Sequence, residues 1–351
     1  MMLVAAAMSA QSSNAPEFID PAPGAKMVIT MLSDNGLWGV SEQASKTDGS
    51  IAPSGGTIVN INTLAQEDIS HSSGLSGVSD ITDDGNLVVG EANGRPAYWS
   101  RTTGKWTTLA IPSGYSGGRL NAVTPDGRRA VGYITPPNDP YGAYPVAYDL
   151  TTGSMIDISG VPTKDMQNLD QHQNHFSQIT ADGKYAVGHL SGSYVLPVAP
   201  CSYIYDIDNK TYKIIGFTER PEATGNIYGN WTPHVENMVM VTSANISTNG
   251  EWVTGMAYMA IPVEGSEFAN EYYVAYVYDV NNDKFEIYPE SDYAGWAITN
   301  DGTPYIAAPA ENPTPTPTSA PVATTSASSR FSARFTASIS RRKWVSATPV
   351  R

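Results

Sequence analysis

Short runs of aromatic and β-branched residues alternate with polar residues through most of the chain. The clearest runs are 97–109 (AYWSRTTGKWTTL), 147–158 (AYDLTTGSMIDI), 203–215 (YIYDIDNKTYKII) and 276–288 (YVYDVNNDKFEIY). A Thr-Gly, Asn-Lys or Asn-Asp pair interrupts the alternation at the centre of each run. Alternation with a period of two predicts strands, and the central pair predicts a tight turn, so each run predicts a β-hairpin.

A second kind of hairpin recurs in six copies, each with Gly after Asp or Asn. The copies are MLSDNGLWGV at 31–40, ITDDGNLVVG at 81–90, VTPDGRRAVG at 123–132, ITADGKYAVG at 179–188, ISTNGEWVTG at 246–255 and ITNDGTPYIA at 298–307. Their turn glycines are 49, 42, 56, 67 and 52 residues apart. Glycine takes the positive φ of such turns without steric cost. We therefore assign the Asp and Asn residues here to turn formation, not to catalysis.

Together the two hairpins make one four-stranded unit, which cannot bury both faces of its sheet alone. Stacking such units around an axis buries these faces and gives a β-propeller. The sequence thus predicts an all-β chain, a β-propeller of four-stranded antiparallel blades, with six repeats visible and the last one incomplete. The predicted propeller covers 27–311, with units near 27–69, 77–110, 120–159, 176–216, 242–289 and 294–311.

The repeat pattern, I-T-x-D-G-x-x-V-G followed by A-Y-W-S-R-T-T-G-K-W-T-T-L, resembles the HAF-type repeats of extracellular bacterial proteins. It is also similar to the SPDG, WD-like propeller repeats of periplasmic translocation proteins and of prolyl-peptidase propellers. The resemblance covers about residues 27–310. It implies a propeller fold but no particular function, because such repeats serve binding, scaffolding and gating alike. Sialidase Asp boxes place one more residue between Asp and Gly, so the resemblance does not extend to that enzyme class.

Composition and charge narrow the possible partners. The formal net charge is −14, and charged residues make up only 15% of the chain. A phosphate backbone requires a basic face, so we expect no nucleic-acid partner. Cys201 is the only cysteine, which excludes an intrachain disulfide and a Cys-based zinc site. We expect no cofactor.

The N-terminal residues 1–10 resemble the second half of a secretory signal, with cleavage near Ser9 or Ala10. A charged n-region is missing, which suggests a start codon further upstream. Residues 11–26 are predicted to be a linker, and the alternative is a disordered tail throughout. No later apolar run is long enough to span a membrane. We expect an exported protein in the periplasm, on the cell surface or outside the cell.

The tail at 312–351 differs in composition from the rest, with no acidic residues and six Lys and Arg. It is either a Pro/Thr linker with a basic end or a translation artefact. A frameshift near codon 313 would explain why the sixth unit stops where its third strand is expected. Sequencing the DNA and translating all three frames would decide between these alternatives.

The topology predicts where a ligand would bind. In an up-and-down unit the two hairpin turns lie at one end, whereas the connections between the hairpins and between units lie at the other. Long loops on a rigid scaffold commonly carry binding residues, and here all the long connections share one end. The predicted ligand-binding residues of this end are Asp139, Tyr141, Tyr144, Tyr194, Tyr228, Trp231, Tyr258, Glu267 and Tyr272. Aromatic rings stack on sugars or peptide side chains, and carboxylates accept hydrogen bonds from hydroxyl or amine groups. Alternatively, these tyrosines pack the loops against the sheets.

His172 and His175, together with Asp170, have a spacing compatible with a metal. Without a third fixed ligand they make only a weak candidate, so we expect no metal site. The chain has no motif of a nucleophile elbow, a zinc protease or a phosphate-binding loop. We assign no catalytic residue.

The resulting interpretation is an exported bacterial β-propeller that binds a carbohydrate, a peptide or a partner protein. One alternative is a secreted glycan hydrolase or lyase with carboxylates in the central funnel. Another is a cell-envelope scaffold protein.

Overall fold

The computed structural model describes residues 27–43, 56–69, 76–136, 142–162, 173–191, 201–215, 238–262, 269–288 and 295–306. These residues form 22 strands and, within those ranges, no helix. The strands, sheet by sheet, are β1 (Met27–Leu32), β2 (Trp38–Gln43), β3 (Thr57–Asn60) and β4 (Gln66–Asp68); β5 (Ser76–Ile81), β6 (Leu87–Ala92), β7 (Arg95–Ser100) and β8 (Lys105–Thr108); β9 (Gly117–Val123), β10 (Arg129–Thr135), β11 (Tyr144–Asp149) and β12 (Ser154–Ile156); β13 (Gln173–Ile179), β14 (Tyr185–Ser191), β15 (Cys201–Asp206) and β16 (Thr211–Ile215); β17 (Met238–Ile246), β18 (Trp252–Pro262), β19 (Ala269–Asp279) and β20 (Lys284–Tyr288); and β21 (Gly295–Ile298) and β22 (Pro304–Ile306).

Each sheet is an antiparallel meander, and the sheets pack in chain order. The first strand of every unit contacts the first strand of the next, through β1, β5, β9, β13, β17 and β21. The first strands are therefore the innermost ones, and the sheets radiate from them. This arrangement confirms the predicted all-β propeller of four-stranded antiparallel units, with the sixth unit contributing two described strands.

Apolar side chains from neighbouring sheets form the cores. Phe176, Tyr203 and Tyr205 of the fourth unit pack with Val131 and Ala147 of the third. Three similar clusters join the first unit to the second, the second to the third and the fourth to the fifth. Both faces of an inner sheet are thus buried by its neighbours, which is the physical reason for stacking.

The turns between first and second strands share one hydrogen-bond network. In the third unit, the Thr124 hydroxyl donates to Asp126 Oδ1 over 2.7 Å. The backbone N–H groups of Arg128 and Arg129 donate to Asp126 Oδ1 and Thr124 Oγ1. Gly127 closes the turn with a φ of 72°. The same hydroxyl-to-Oδ1 bond occurs at Ser33–Asn35, Thr82–Asp84, Thr180–Asp182, Ser247–Asn249 and Thr299–Asp301.

Every first strand carries a β-bulge at the same place, six residues before its turn glycine. The bulged residues are Thr30, Ser79, Asn121, Ser177, Ala244 and Trp296. A bulge releases ladder carbonyls and re-aims side chains. Accordingly, the Asn121 amide donates to the carbonyl of Phe176 in the next unit over 2.7 Å.

Candidate functional site

Most of the predicted ligand-binding residues lie outside the described residues. These are Asp139, Tyr141, Tyr194, Tyr228, Trp231 and Glu267, and also Asp170 and His172 of the weak metal candidate. Their roles remain predictions.

Two predicted loop residues are strand residues instead. Tyr258 lies in β18 and Tyr272 in β19, so the prediction that these two residues lie in a long connection is wrong, and only residues 263–268 separate the two strands. The two strands pair over eleven positions, with Met259 opposite Tyr272. Aromatic and β-branched residues favour such cross-strand pairing, and this preference extends both strands into the segment we assigned to a loop.

Tyr144 is likewise a strand residue, the first residue of β11. Its ring packs edge-to-face on Tyr115, with the centroids 6.0 Å apart, beside the core between the second and third units. This contact is the scaffold packing that we weighed as the alternative for the tyrosines.

The neighbours of His175 are not those of the predicted metal candidate. It lies on β13 directly opposite His189 on β14, and the two imidazole centroids are 5.8 Å apart. The ring of Tyr133, from the third unit, lies 6.3 Å from His175 in an edge-to-face arrangement. Tyr133 is in turn the cross-strand partner of Arg119.

Arg119 connects these residues to the second unit. Its Nε and Nη2 atoms donate to the Ser79 hydroxyl over 2.6 Å and to the Val78 carbonyl over 2.5 Å, both beside the bulge of β5. Its Nη1 lies 4.0 Å from Glu91 Oε1. Only 6% of Arg119 is exposed, so its charge is held by these partners. We name Glu91, Arg119, Tyr133, His175 and His189 the polar row.

The polar row lies near the end of the sheets where the long connections leave. Glu91, Tyr133 and His189 are one or two residues before the last residues of β6, β10 and β14, respectively. The connections 136–143 and 192–200 follow two of these strands, and they carry the predicted residues Asp139, Tyr141 and Tyr194. The row therefore lies at the end of the sheets from which these connections leave.

Burial controls the charge of His175. Desolvation lowers the pKa of its imidazole from 6.5 to about 4. Near neutral pH the ring is therefore uncharged and keeps a lone pair on one nitrogen. Arg119 and Glu91 carry opposite charges within the row.

The carboxylates at the opposite end serve the turns. Partial burial acts to raise the pKa of Asp126, but the hydrogen bonds from Thr124 and Arg128 outweigh it, and the pKa is lowered. In the second-hairpin turn, hydrogen bonds from the Thr151 hydroxyl and the Thr152 N–H lower the pKa of Asp149. These ionised acceptors have structural partners, as the turn assignment predicts.

Two carboxyl groups near the first two turns behave differently. Partial desolvation of its carboxyl group by burial, and then the charge of Asp83, raises the pKa of Asp34 to about 6, although the residue as a whole is exposed. Burial also raises the pKa of Asp80, although Asp80 accepts hydrogen bonds from the N–H groups of Ile81 and Val123. Asp80 thus joins the second unit to the third through its carboxylate.

Sequence reasoning found His175 but missed its partners, although the repeat contains the signal. The residue eight positions before each turn glycine lies directly opposite the residue six positions after that glycine. The pairs at these positions are Gly77–Glu91, Arg119–Tyr133 and His175–His189. Aligning the repeats outwards from these glycines would have shown that the members of the polar row occupy these two positions in successive units.

Within the described ranges, no group of three or more His, Cys, Asp and Glu side chains could hold a metal ion. The described part also contains no helix long and apolar enough to cross a membrane.

Comparison with known proteins finds similar solved structures only. No family model matches the chain, and no curated protein matches it. Among solved structures, it is similar to TolB from Acinetobacter baumannii, with 16% identity, 74% of this chain and 56% of that chain covered, and a TM-score of 0.43. It is also similar to Kuenenia stuttgartiensis hydrazine synthase, with 14% identity, 79% and 72% covered, and a TM-score of 0.48. A third is the β-propeller domain of the Pyrococcus furiosus trilobed protease, with 13% identity, 77% and 73% covered, and a TM-score of 0.44. This chain spans a little over half of the TolB chain, and none of these likenesses bears on activity.

Proposed function

We propose that this chain is an exported binding module that takes a carbohydrate ligand at the end of the propeller where the long connections leave. The HAF-type and SPDG resemblance and the signal-like residues 1–10 support export. The observation that carries the binding role is the polar row, in which an Arg–Glu pair and three rings, five residues drawn from three units, converge at that end of the sheets.

The chemistry of the row favours a carbohydrate over a peptide. The partly exposed ring of Tyr133 offers an apolar face against which a pyranose stacks. Glu91 and Arg119 supply an acceptor and donors for hydroxyl groups, and their opposite charges suit a neutral ligand. Lining a site with rings and a few polar groups is typical of small-ligand recognition.

The test is an array of neutral, uronic-acid and amino-sugar oligosaccharides probed with the whole chain. Tyr133→Ala and Glu91→Gln should each weaken binding about tenfold or more, because stacking and a charged hydrogen bond each contribute roughly 1–3 kcal/mol. Tyr212→Ala is the matched control, because Tyr212 is a 44% exposed tyrosine on the outer strand β16, far from the row along the sheet. Melting curves would establish that each variant folds.

Three outcomes would contradict the proposal. Release of reducing ends or unsaturated products from a bound glycan would favour the hydrolase or lyase alternative. Capture of a peptide or a cell-envelope protein with no glycan binding would favour a scaffold. Equal loss of affinity in Tyr133→Ala and Tyr212→Ala would place the ligand away from the polar row.

A further inference from the structure

The histidine pair of the polar row has the geometry of a chelate. His175 and His189 are direct partners on adjacent antiparallel strands, where opposite Cβ atoms are about 4.5–5.5 Å apart. Their ring centroids are 5.8 Å apart and their ring planes are inclined by 64°. Two imidazoles on one tetrahedral zinc ion, with Zn–N bonds of about 2.0–2.1 Å, have centroids roughly 5 Å apart. The two rings are thus within a small side-chain rotation of sharing an ion.

The surroundings keep this geometry in place. β14 is hydrogen-bonded on both sides, to β13 and to β15, so the backbone that carries His189 is fixed. Only 9% of His189 is exposed. The ring of Tyr133, from the neighbouring unit, lies edge-to-face with the His175 ring and restricts the rotamers of His175. A ligand pair fixed before the ion arrives loses little conformational entropy when it binds.

The donor atoms of the row also favour a metal ion at its histidine end. A metal ligand must be a neutral imidazole, because a protonated ring has no free lone pair. Glu91, at the other end of the row, already faces Arg119, which leaves the histidine end as the part of the row built from nitrogen donors.

We propose that His175 and His189 together bind one zinc ion at the end of the polar row. Imidazole nitrogen suits borderline cations such as Zn²⁺, and it discriminates against Mg²⁺ and Ca²⁺, which take oxygen ligands. With two protein ligands, the ion keeps two coordination positions for water or for donor atoms of a bound molecule. This site goes beyond the proposed carbohydrate binding, because the ion binds with or without a glycan.

The test is calorimetric titration of the untagged chain with zinc chloride, and separately with magnesium chloride, in the absence of any glycan. We expect one Zn²⁺ per chain and no measurable heat from Mg²⁺. His175→Gln should weaken zinc binding by at least about tenfold, because one of two imidazole ligands is lost. His71→Ala is the matched control for adventitious binding to other histidines and should leave the affinity unchanged.

A second measurement does not depend on a variant that folds. Imidazole ¹⁵N shifts of the wild-type chain should move for two histidines at one equivalent of zinc. Zinc affinity that is unchanged in His175→Gln, or that falls equally in His71→Ala, would overturn the proposal. So would a one-equivalent titration that moves no pair of ring signals. Failure of glycan binding with intact zinc binding would overturn only the proposed function.

Discussion

One side-chain oxygen, from Asp or Asn, organises each turn between a first and a second strand, and the repeat shows which replacement the turn accepts. Asp126 Oδ1 accepts from the Thr124 hydroxyl and the Arg128 N–H. In the first and fifth units Asn35 and Asn249 make the same bonds with an amide oxygen. The turn therefore needs the acceptor and not the charge.

This distinction predicts different stabilities for two substitutions at Asp126. Asp126→Asn should change the free energy of unfolding by less than about 0.5 kcal/mol, because the acceptor remains. Asp126→Ala should lower it by about 1–2 kcal/mol, because two donors lose their partner. Urea unfolding of both variants measures the difference. Equal losses in the two would show that the charge, not the acceptor, stabilises the turn.

At the scale of the elements, each turn glycine from the second unit onward also receives a side chain from the preceding unit. A Cβ on Gly85 would lie 2.5 Å from atoms of the Trp38 ring, and one on Gly302 would lie 2.8 Å from Trp252. Trp38 follows its own turn glycine by two residues, as Trp252 follows Gly250. Glycine is therefore required twice, for its positive φ and for the space above it.

Gly104→Ala separates these two requirements from each other. Gly104 has a φ of 63°, close to the 67° of Gly85, but a Cβ there meets no atom within 4 Å. Gly104→Ala should lower the free energy of unfolding by about 1–2 kcal/mol through the backbone alone. Gly85→Ala should lower it by a further 1–3 kcal/mol or so, because the Trp38 ring must move. Equal losses of unfolding free energy in the two variants, measured by urea unfolding, would mean that the Trp38 ring moves aside without an energetic cost.

The same elements show what the sequence could predict. The hairpins were predictable, because their alternation and turn residues are local. The length of β18 and β19 was not, because the pairing of Tyr258 and Tyr272 with the opposite strand overrides any local loop signal. The polar row was missed for a related reason. Its members come from three units, and only the register across each strand pair brings Arg119 to Tyr133 and His175 to His189.

At the scale of the whole molecule, stability comes from contacts between neighbouring units. The apolar clusters each combine two sheets, and Arg119 and Asp80 both join the second unit to the third. Buried ionisable groups at these junctions link protonation to the stability of the entire stack. The pH dependence of unfolding therefore reports on the junctions, and the sign of each group's contribution can be predicted.

His175 and Asp34 should act in opposite directions as the pH changes. The pKa of His175 is about 4 in the folded chain and 6.5 when unfolded, so the unfolded chain binds more protons between these values. Its contribution to the free energy of unfolding should fall by about 3 kcal/mol as the pH drops from 6.5 to 4. For Asp34 the folded pKa is about 6 against 3.8, so its contribution falls as the pH rises across that window. Solvent screening of this exposed carboxyl makes the second effect the smaller one.

Urea unfolding between pH 4 and 8, with a chelator present so that no bound metal contributes, measures both effects. His175 makes the chain lose stability on acidification below about pH 6.5, whereas Asp34 and Asp80, whose folded pKa values are raised by burial, act in the opposite direction. His175→Gln should flatten this loss, because glutamine does not titrate. Asp34→Asn should instead steepen it, because the opposing contribution is removed. A His175→Gln profile as steep as that of the wild type would mean that the buried imidazole is not the group that destabilises the stack in acid, and that another junction controls it.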